Sequence, residues 1–233
     1  MICIFPMGGT GKRFTDAGYK TPKPFLTING KTLVEMAINS IGNLYPLIFV
    51  CREEYAEQLA QIVPKGRSTI IPIHVYTTGP LQTVLREEVA RVIDSHNPIL
   101  LMDCDSYFTD PEELERAIDV FTFSEASGGV TVRKTDDPSC SYAKIKEHTW
   151  MVKETREKDP FTKWSTTGPY WFRSGKEFLW VAKDALRDGV TSISPVYNYI
   201  IRMGGKVKAF EVKTFVHLGT PEAYESFSRN SHL

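Results

Sequence analysis

Short, fully apolar runs alternate with stretches of helical spacing through the first half of the chain. Residues 2–5 read as a buried strand. Leu33, Met36, Ala37 and Ile41 recur at helical spacing behind Thr32, a side-chain N-cap, and Gly42 closes that helix. A second buried strand is expected at 47–51, a helix at 54–63 stopped by Pro64, and a third strand at 70–76. Residues 82–93 predict one helix with Leu85, Val89 and Val92 on a shared face. Residues 99–102 form a fourth apolar strand that runs directly into Asp103, and Asp110-Pro111-Glu112 is a helix start. Strands apolar on both sides, separated by helices, imply a parallel sheet covered on both faces.

The second half reads differently. Strands are expected at 129–133, 142–146, 150–155 and 169–172, with the alternation of a more open, mixed sheet. Helices follow at 175–187 and 195–203, then a strand at 206–211 and a short helix from Pro221. No repeat, low-complexity segment or long linker interrupts the chain. The expectation is an α/β fold with a mostly parallel central sheet, helices on both faces and a smaller mixed-sheet lobe. It is read as one domain over 1–233, with halves at 1–125 and 126–233.

Composition narrows the function. The 233 residues are 42% hydrophobic and 24% charged, an ordinary globular balance. Lys plus Arg and Asp plus Glu are 28 each, so the net charge is zero. A protein that grips nucleic acid mainly through its phosphates carries a basic excess, so no nucleic-acid partner is expected. Four scattered cysteines, with no Cys-x-x-Cys pair, form neither a disulfide framework nor a zinc site and fit a reducing cytoplasm. The first six residues are too short and too uncharged for a leader, and no apolar stretch reaches the ~20 residues of a membrane span.

Three constellations carry chemistry. The first strand leads into Pro6-Met7-Gly8-Gly9-Thr10-Gly11-Lys12-Arg13. Glycines let backbone N–H groups turn inward, and Lys12 and Arg13 add positive charge, so the loop is a cradle for a di- or triphosphate. It lacks the third glycine of a dinucleotide fingerprint and the Ser or Thr that follows the lysine of a P-loop. Next, Pro22 and Pro24 fix an extended backbone around Lys23, whose ammonium could screen charge during transfer at phosphorus. Finally, Asp103-Cys104-Asp105 stands where a buried strand emerges. Carboxylates there are costly unless they hold a cation, and hard oxygens suit Mg²⁺ or Mn²⁺. The two are read as lying on opposite sides, leaving one as the direct ligand and the other as a support or sugar contact.

Together these pieces resemble the nucleotidylyltransferases that activate sugar phosphates and other small phosphates, whose signature runs Gly-Gly-x-Gly-x-Arg-Phe…Pro-Lys-Pro. The resemblance spans almost the whole chain in order. It implies a Rossmann-like fold of the glycosyltransferase-A type and a Mg²⁺-dependent reaction in which an acceptor phosphate attacks an NTP and pyrophosphate leaves. Arg13 and Lys23 are then the catalytic cations. The nucleotide falls to Met7, Gly8, Gly9, Gly11 and Lys12, with Gly79, Gln82 and Thr83 facing base and ribose. Asp103 and Asp105 match the metal region. Ser141 to Lys144 with Glu154, Glu157 and Lys158, then Thr167 and Gly168, resemble the acceptor-binding segments. Residues 219–222 resemble the closing Gly-Thr-Pro-Glu.

One departure stands out. Many relatives have an aspartate metal ligand where this chain has His217, and imidazole matches Mg²⁺ poorly. His217 is therefore read as an acceptor contact or an inert position. The aromatic group Trp150, Trp164, Tyr170 and Trp171 either lines a pocket or packs the core. A CTP-dependent cytidylyltransferase of the surface-polysaccharide branch is the leading expectation, with a purine nucleotide left open. A glycosyltransferase of the same fold and a non-catalytic nucleotide-binding relative are the alternatives. Monomer and homodimer are both compatible with the sequence.

Overall fold

A computed structural model describes residues 1–43 and 45–230. In chain order the elements are β1 (Ile2–Met7), α1 (Lys12–Asp16), β2 (Thr27–Ile28), β3 (Lys31–Thr32), α2 (Leu33–Asn39), β4 (Leu47–Arg52), α3 (Ala56–Ile62) and β5 (Ser68–Ile73). There follow α4 (Pro80–Val84), α5 (Glu87–Ile93), β6 (Ile99–Leu101), β7 (Ser106–Phe108), α6 (Pro111–Phe123), β8 (Gly128–Lys134), β9 (Tyr142–Lys146) and β10 (Met151–Arg156). The chain closes with β11 (Trp164–Phe172), α7 (Gly175–Arg187), α8 (Val196–Arg202), β12 (Val207–Glu211), β13 (Phe215–His217) and α9 (Pro221–Asn230).

Local chemistry explains several boundaries. At α2, Thr32 accepts from the Glu35 backbone while the Glu35 carboxylate accepts from the Thr32 N–H at 2.7 Å, a reciprocal cap. Asp110 caps α6 with Pro111 in the first turn, and Ser174 caps α7 by accepting from the Glu177 N–H. The helix expected over 82–93 is instead two. Arg86 is extended between α4 and α5, and the break turns Leu81 and Val84, then Val89 and Ile93, into one core while Val92 stays exposed. The third strand begins earlier and stops at Ile73, and the strand expected at 169–172 begins at Trp164.

The central sheet has nine strands in the order β5-β4-β1-β6-β11-β8-β12-β10-β9. Its first four strands are parallel, as their apolar runs require. Beyond β6 the sheet is mixed: β11 runs antiparallel to both β6 and β8, and β12 is parallel to β8. The later strands thus extend the same sheet instead of forming a separate mixed one, and mostly parallel describes its first part alone. The sequence could not reveal this, because strand partners are set by long-range pairing, not by periodicity.

Alternating side chains of β1 point into two cores. Ile4 joins Val50, Leu101, Phe172 and Phe178 on the face covered by α4, α5, α7 and α8. Cys3 and Phe5 join Phe49, Leu100 and Trp171 on the face covered by α2, α3 and α6. Small residues make that closeness possible. A Cβ at Gly129 would run into the ring of Phe121, so α6 lies directly on the sheet there. The chain leaves β1 toward β4 and β5 and returns to its other side at β6, so the carboxyl ends of β1 and β6 flank a topological switch point.

Candidate functional site

The loop after β1 and the turn after β6 meet above that switch point. Gly8 is fixed from below: a Cβ there would lie 2.7 Å from Ile73 Cδ1, 2.8 Å from Thr77 Oγ1 and 2.9 Å from Thr83 Oγ1. The Thr77 N–H donates to the Gly8 carbonyl at 3.2 Å, and the two threonine hydroxyls bond each other at 2.6 Å. Gly11 takes a left-handed φ of 64° as the residue before α1, which glycine allows without strain. Proline 22 and 24 then return the chain so that Lys23 dips back toward the sheet, with its side chain 24% exposed.

Lys23 Nζ donates to Asp105 Oδ2 at 2.6 Å. Burial alone would disfavour both charges, but each offsets the other's desolvation. The Lys23 ammonium is held well above its ordinary range, and Asp105, with His217 assisting, is held down at about 2. Asp103 has the opposite fate. It makes no hydrogen bond or ion pair among the described residues, and burial together with the neighbouring Asp105 charge lifts its carboxyl to about 7. Residues two apart on extended backbone share a side, and Asp103 and Asp105, just past the strand end at Leu101, line the same cavity instead of facing opposite ways.

That cavity, about 310 Å³, is lined by Arg13, Lys23, Asp103, Asp105, Glu157, Lys158, Thr167, Gly168 and His217, all anticipated from the sequence. The Arg13 side chain makes no ion pair or hydrogen bond among the described residues, which leaves its charge available to a ligand. A register shift in β11 between Thr166 and Tyr170 places Gly168 at a φ of 94° beside Asp103. A side chain there would come within 2.8 Å of Asp103 Oδ2. The Thr-Gly-Pro run therefore serves to bring strand backbone up against the free carboxylate. The Thr167 hydroxyl is anchored to Thr131 at 2.6 Å.

Opposite the glycine loop, Ser141 donates to Glu157, which also faces Lys158 Nζ at 3.8 Å. His217 Nδ1 is 3.1 Å from Ser106 Oγ, across the β13–β7 pair. Burial holds the imidazole below its ordinary pKa, with Asp105 pulling the other way. The Leu218 N–H donates to the Asp105 carbonyl at 2.8 Å, and a Cβ at Gly219 would strike the His217 ring. The closing Gly-Thr-Pro segment is thus strapped to the aspartate turn.

Other anticipated residues do not line this cavity. Met7, Gly9 and Gly11 line a smaller pocket of about 110 Å³ on the far side of Lys23. Lys12 is exposed and paired with Asp16 at 2.8 Å, so its charge is already compensated. The Thr83 hydroxyl is consumed by Thr77 and by the Gly79 carbonyl, a supporting role. Gly79 packs on Thr191, whose carbonyl accepts from the Leu81 N–H at 2.9 Å. Gln82 Oε1 accepts from the Thr78 N–H at 2.7 Å and from its hydroxyl, so the amide nitrogen is the group left to a base. Glu154 pairs with Arg156. Of the aromatic group only Tyr170 lines the cavity; Trp171 is core, and Trp150 and Trp164 pack edge to face. Sequence reading missed Ser139, Cys140, Ser192, Ile193 and Phe215, which topology alone brings in from separate loops. The Ser-x-Ser-Pro helix start at 192–195 was a faint signal for one of them.

The MobA-like NTP transferase domain model matches residues 3–163. The match runs from β1 through the glycine loop and the aspartate turn to the start of the acceptor wall. The chain belongs to the MobA-like NTP transferase family. Among solved structures, a nucleoside-diphosphate-sugar pyrophosphorylase from Vibrio cholerae RC9 is similar to this NTP transferase with a TM-score of 0.80 at 25% identity, over 98% of this chain and 100% of that one. A Bacillus anthracis protein described as a glucose-1-phosphate thymidylyltransferase gives 0.83 at 18% identity over 99% and 95%. The inositol-1-phosphate CTP transferase from T. maritima gives 0.76 at 18% over 99% and 94%. Comparison with curated protein sequences gives no significant match. The reaction class of this NTP transferase is nucleotidyl transfer. No helix among its described residues is long and apolar enough to cross a membrane.

Proposed function

We propose that this NTP transferase joins a nucleotide, CTP by preference, to a sugar 1-phosphate or a similar small phosphorylated acceptor and releases pyrophosphate. A place in surface-polysaccharide precursor synthesis draws on the resemblance of its acceptor lobe and nucleotide loop, and a cytoplasmic location on its four free cysteines. One observation carries the reading: the uncommitted cation Arg13 and the uncommitted carboxylate Asp103 line one cavity, with Lys23 between the glycine loop and the aspartate turn. A glycosyltransferase has no need of a cradle for departing pyrophosphate. The sugar-phosphate class draws on the likeness to the Vibrio cholerae pyrophosphorylase. The CTP preference draws on the resemblance of the nucleotide loop, in which Gln82 keeps an amide donor free for a base.

The donor set fits a hard divalent cation. Asp103 is an orphan carboxylate held near 7 by burial and by its neighbour, the state a cation would relieve. No cluster of three or more His, Cys, Asp or Glu able to hold a metal exists among the described residues, so a bound Mg²⁺ would take its other ligands from water and substrate phosphates. Asp103 would hold Mg²⁺ directly, with Asp105 beside it kept ionised by Lys23. The ion supplies neutralisation of charge on the transferring phosphoryl group.

The chain's own groups do the rest. Residues 1–125 hold the nucleotide: the backbone of Gly8, Gly9 and Gly11 cradles phosphate and Arg13 meets its charge. Residues 126–233 hold the acceptor: Lys158 meets its phosphate, and Glu157 and Thr167 orient its hydroxyls. The neutral His217 contacts the acceptor or shapes the wall. A phosphate nucleophile is largely deprotonated near neutrality, so no general base is required and positioning carries the rate. A matrix of four NTPs against phosphorylated acceptors, read as pyrophosphate release, tests this. Release requiring acceptor and Mg²⁺, highest with CTP and a sugar 1-phosphate, is expected. Transfer from a preformed nucleotide sugar without pyrophosphate would overturn it.

A further inference from the structure

The closing Gly-Thr-Pro-Glu segment launches α9, and neither has a part in the chemistry so far. Thr220 accepts from the Ala223 N–H at 3.2 Å, the pattern of an N-cap. Of the described α9 residues only Pro221 is buried, and α9 contributes to neither sheet core. It covers a third, smaller core built on Phe14, Leu26, Ile28, Leu33 and Leu218. Members of this core stand beside site residues in the chain: Phe14 follows Arg13, Leu26 follows the Lys23 turn, and Leu218 follows His217.

Two α9 rings tie the core together. Tyr224 meets Phe14 and Tyr19 edge to face, with centroids 6.1 and 5.9 Å apart, and donates to the Thr27 carbonyl at 2.8 Å. Phe227 meets Tyr107, two residues beyond Asp105, at 5.9 Å. From the loop side, Tyr19 donates to Glu225 of α9 at 2.9 Å. The helix is therefore clasped to the segment that carries Arg13 by ring contacts and by hydrogen bonds in both directions.

Arg13 has no polar anchor of its own. Lys23 is fixed by Asp105, but no hydrogen bond or ion pair among the described residues aims the Arg13 side chain, so its direction is set by the backbone of α1. That helix has five residues, no side-chain cap and a single buried residue, Phe14. A helix so short does not hold itself together and takes its place from tertiary packing. Phe14 is 2% exposed, and the rings that meet it are Tyr19, at 5.3 Å, and Tyr224. We infer that Tyr224 is a positioning residue for Arg13: docking of its ring on Phe14 and Tyr19 fixes α1 so that the guanidinium faces the nucleotide's phosphates. No α9 residue lines the cavity, so the effect is exerted through Phe14. The inference rests on the nucleotidyl-transfer reading above, in which Arg13 meets the phosphate charge.

The test is a double-mutant cycle of Tyr224→Ala with Arg13→Met. It is read as binding of each of the four NTPs with Mg²⁺ and as pyrophosphate release, with thermal unfolding measured on the same samples. A displaced catalytic group can cost up to about 10²-fold in rate, so Tyr224→Ala should lower turnover and affinity for the preferred NTP about tenfold. In the Arg13→Met background the same substitution should change either by no more than about twofold. Tyr224→Phe keeps the ring and loses only the bond to Thr27, so it should stay within about threefold of wild type. A purely structural role predicts a different pattern, the same factor in both backgrounds. Equal losses in both backgrounds, a folded Tyr224→Ala that behaves like wild type, or a Tyr224→Phe as damaged as Tyr224→Ala each overturn the positioning role. If Tyr224→Ala does not fold, Tyr224→Leu, which fills the space without the ring's edge contacts, goes through the same cycle. NTP binding needs no acceptor, so a cycle that couples as expected in binding upholds the positioning role even where no tested acceptor is turned over, and isolates a failure of the acceptor reading. An Arg13→Met protein that binds NTP and turns over like wild type defeats the nucleotide reading, and the positioning role falls with it.

Discussion

The two walls of the cavity are built in opposite ways. The glycine-loop wall is one continuous stretch, residues 6–24, shaped by glycine and proline and pinned from below by Thr77 and Thr83. The acceptor wall gathers residues 139–141, 157–158, 166–170, 192–193 and 215–217 from five separate segments. Its members are tied by hydroxyl pairs, a strand bulge and backbone bonds across long sequence distances. In the first wall the motif is the site. In the second the topology is the site, and a residue's neighbours in sequence say little about its neighbours in space.

The comparison can be broken by substitution. The largest effect is expected where the walls meet: Asp103→Asn or Asp105→Asn should lower turnover by about 10³-fold, the scale of a lost electrostatic contact to the reacting phosphate, read as pyrophosphate release. Unchanged turnover in both would remove the metal assignment. Arg13→Met should cost about 10²-fold in turnover. Its melting behaviour should stay within about 0.5 kcal/mol of wild type, because the side chain has no partner to lose.

The acceptor wall should fail through stability instead. Glu113, buried in the first turn of α6, accepts from the Lys213 and Thr214 N–H groups at 2.8 Å each and from the Thr214 hydroxyl at 2.6 Å. Glu113→Ala strands three donors just before β13 and should cost about 3 kcal/mol in denaturant unfolding. In the surviving folded fraction it should raise the acceptor KM more than the nucleotide KM.

A pH scan sharpens the picture. The Asp103 carboxyl is raised by burial and by Asp105 from an ordinary 3.8 to about 7, so the metal-free folded state holds a proton that the unfolded chain releases. Stability present below pH 4 should decline as pH rises toward 7, and Asp103→Asn should flatten that slope. Asp105, lowered to about 2 by Lys23 against its burial cost, acts with the opposite sign and only below about pH 4. The smallest effect belongs to Lys12→Gln: its charge is spent on an exposed pair with Asp16, so turnover should move by no more than about twofold.

These differences track what the sequence made legible. The four parallel strands, the α2, α3 and α6 helices and the glycine-loop motif could be read directly, because periodicity and backbone chemistry are local, whereas the break at Arg86 was missed. The Asp103–Asp105 pair was visible as chemistry but misjudged in geometry: residues two apart on extended backbone share a side, and both line the cavity. The Lys12–Asp16 pair was legible as an i,i+4 spacing, and the reading of the glycine loop did not weigh it. Ser192 and Ile193 were invisible because long-range contacts, Leu81 N–H to the Thr191 carbonyl and Gly79 packed on Thr191, bring their loop to the nucleotide segment. The mixed second part of the sheet was hidden for the same reason, since β11 finds its neighbours β6 and β8 across dozens of residues.

That insertion of β11 has a mechanical corollary. An antiparallel strand laced into both the early parallel ladder and the later mixed one gives the cleft a rigid floor of nine continuous strands, with no seam along which its sides could swing apart. Enzymes that clamp by swivelling whole lobes need such a seam. Here tightening around bound substrates is expected at the rim, in the loops that carry Lys23 and His217, above an unbroken base.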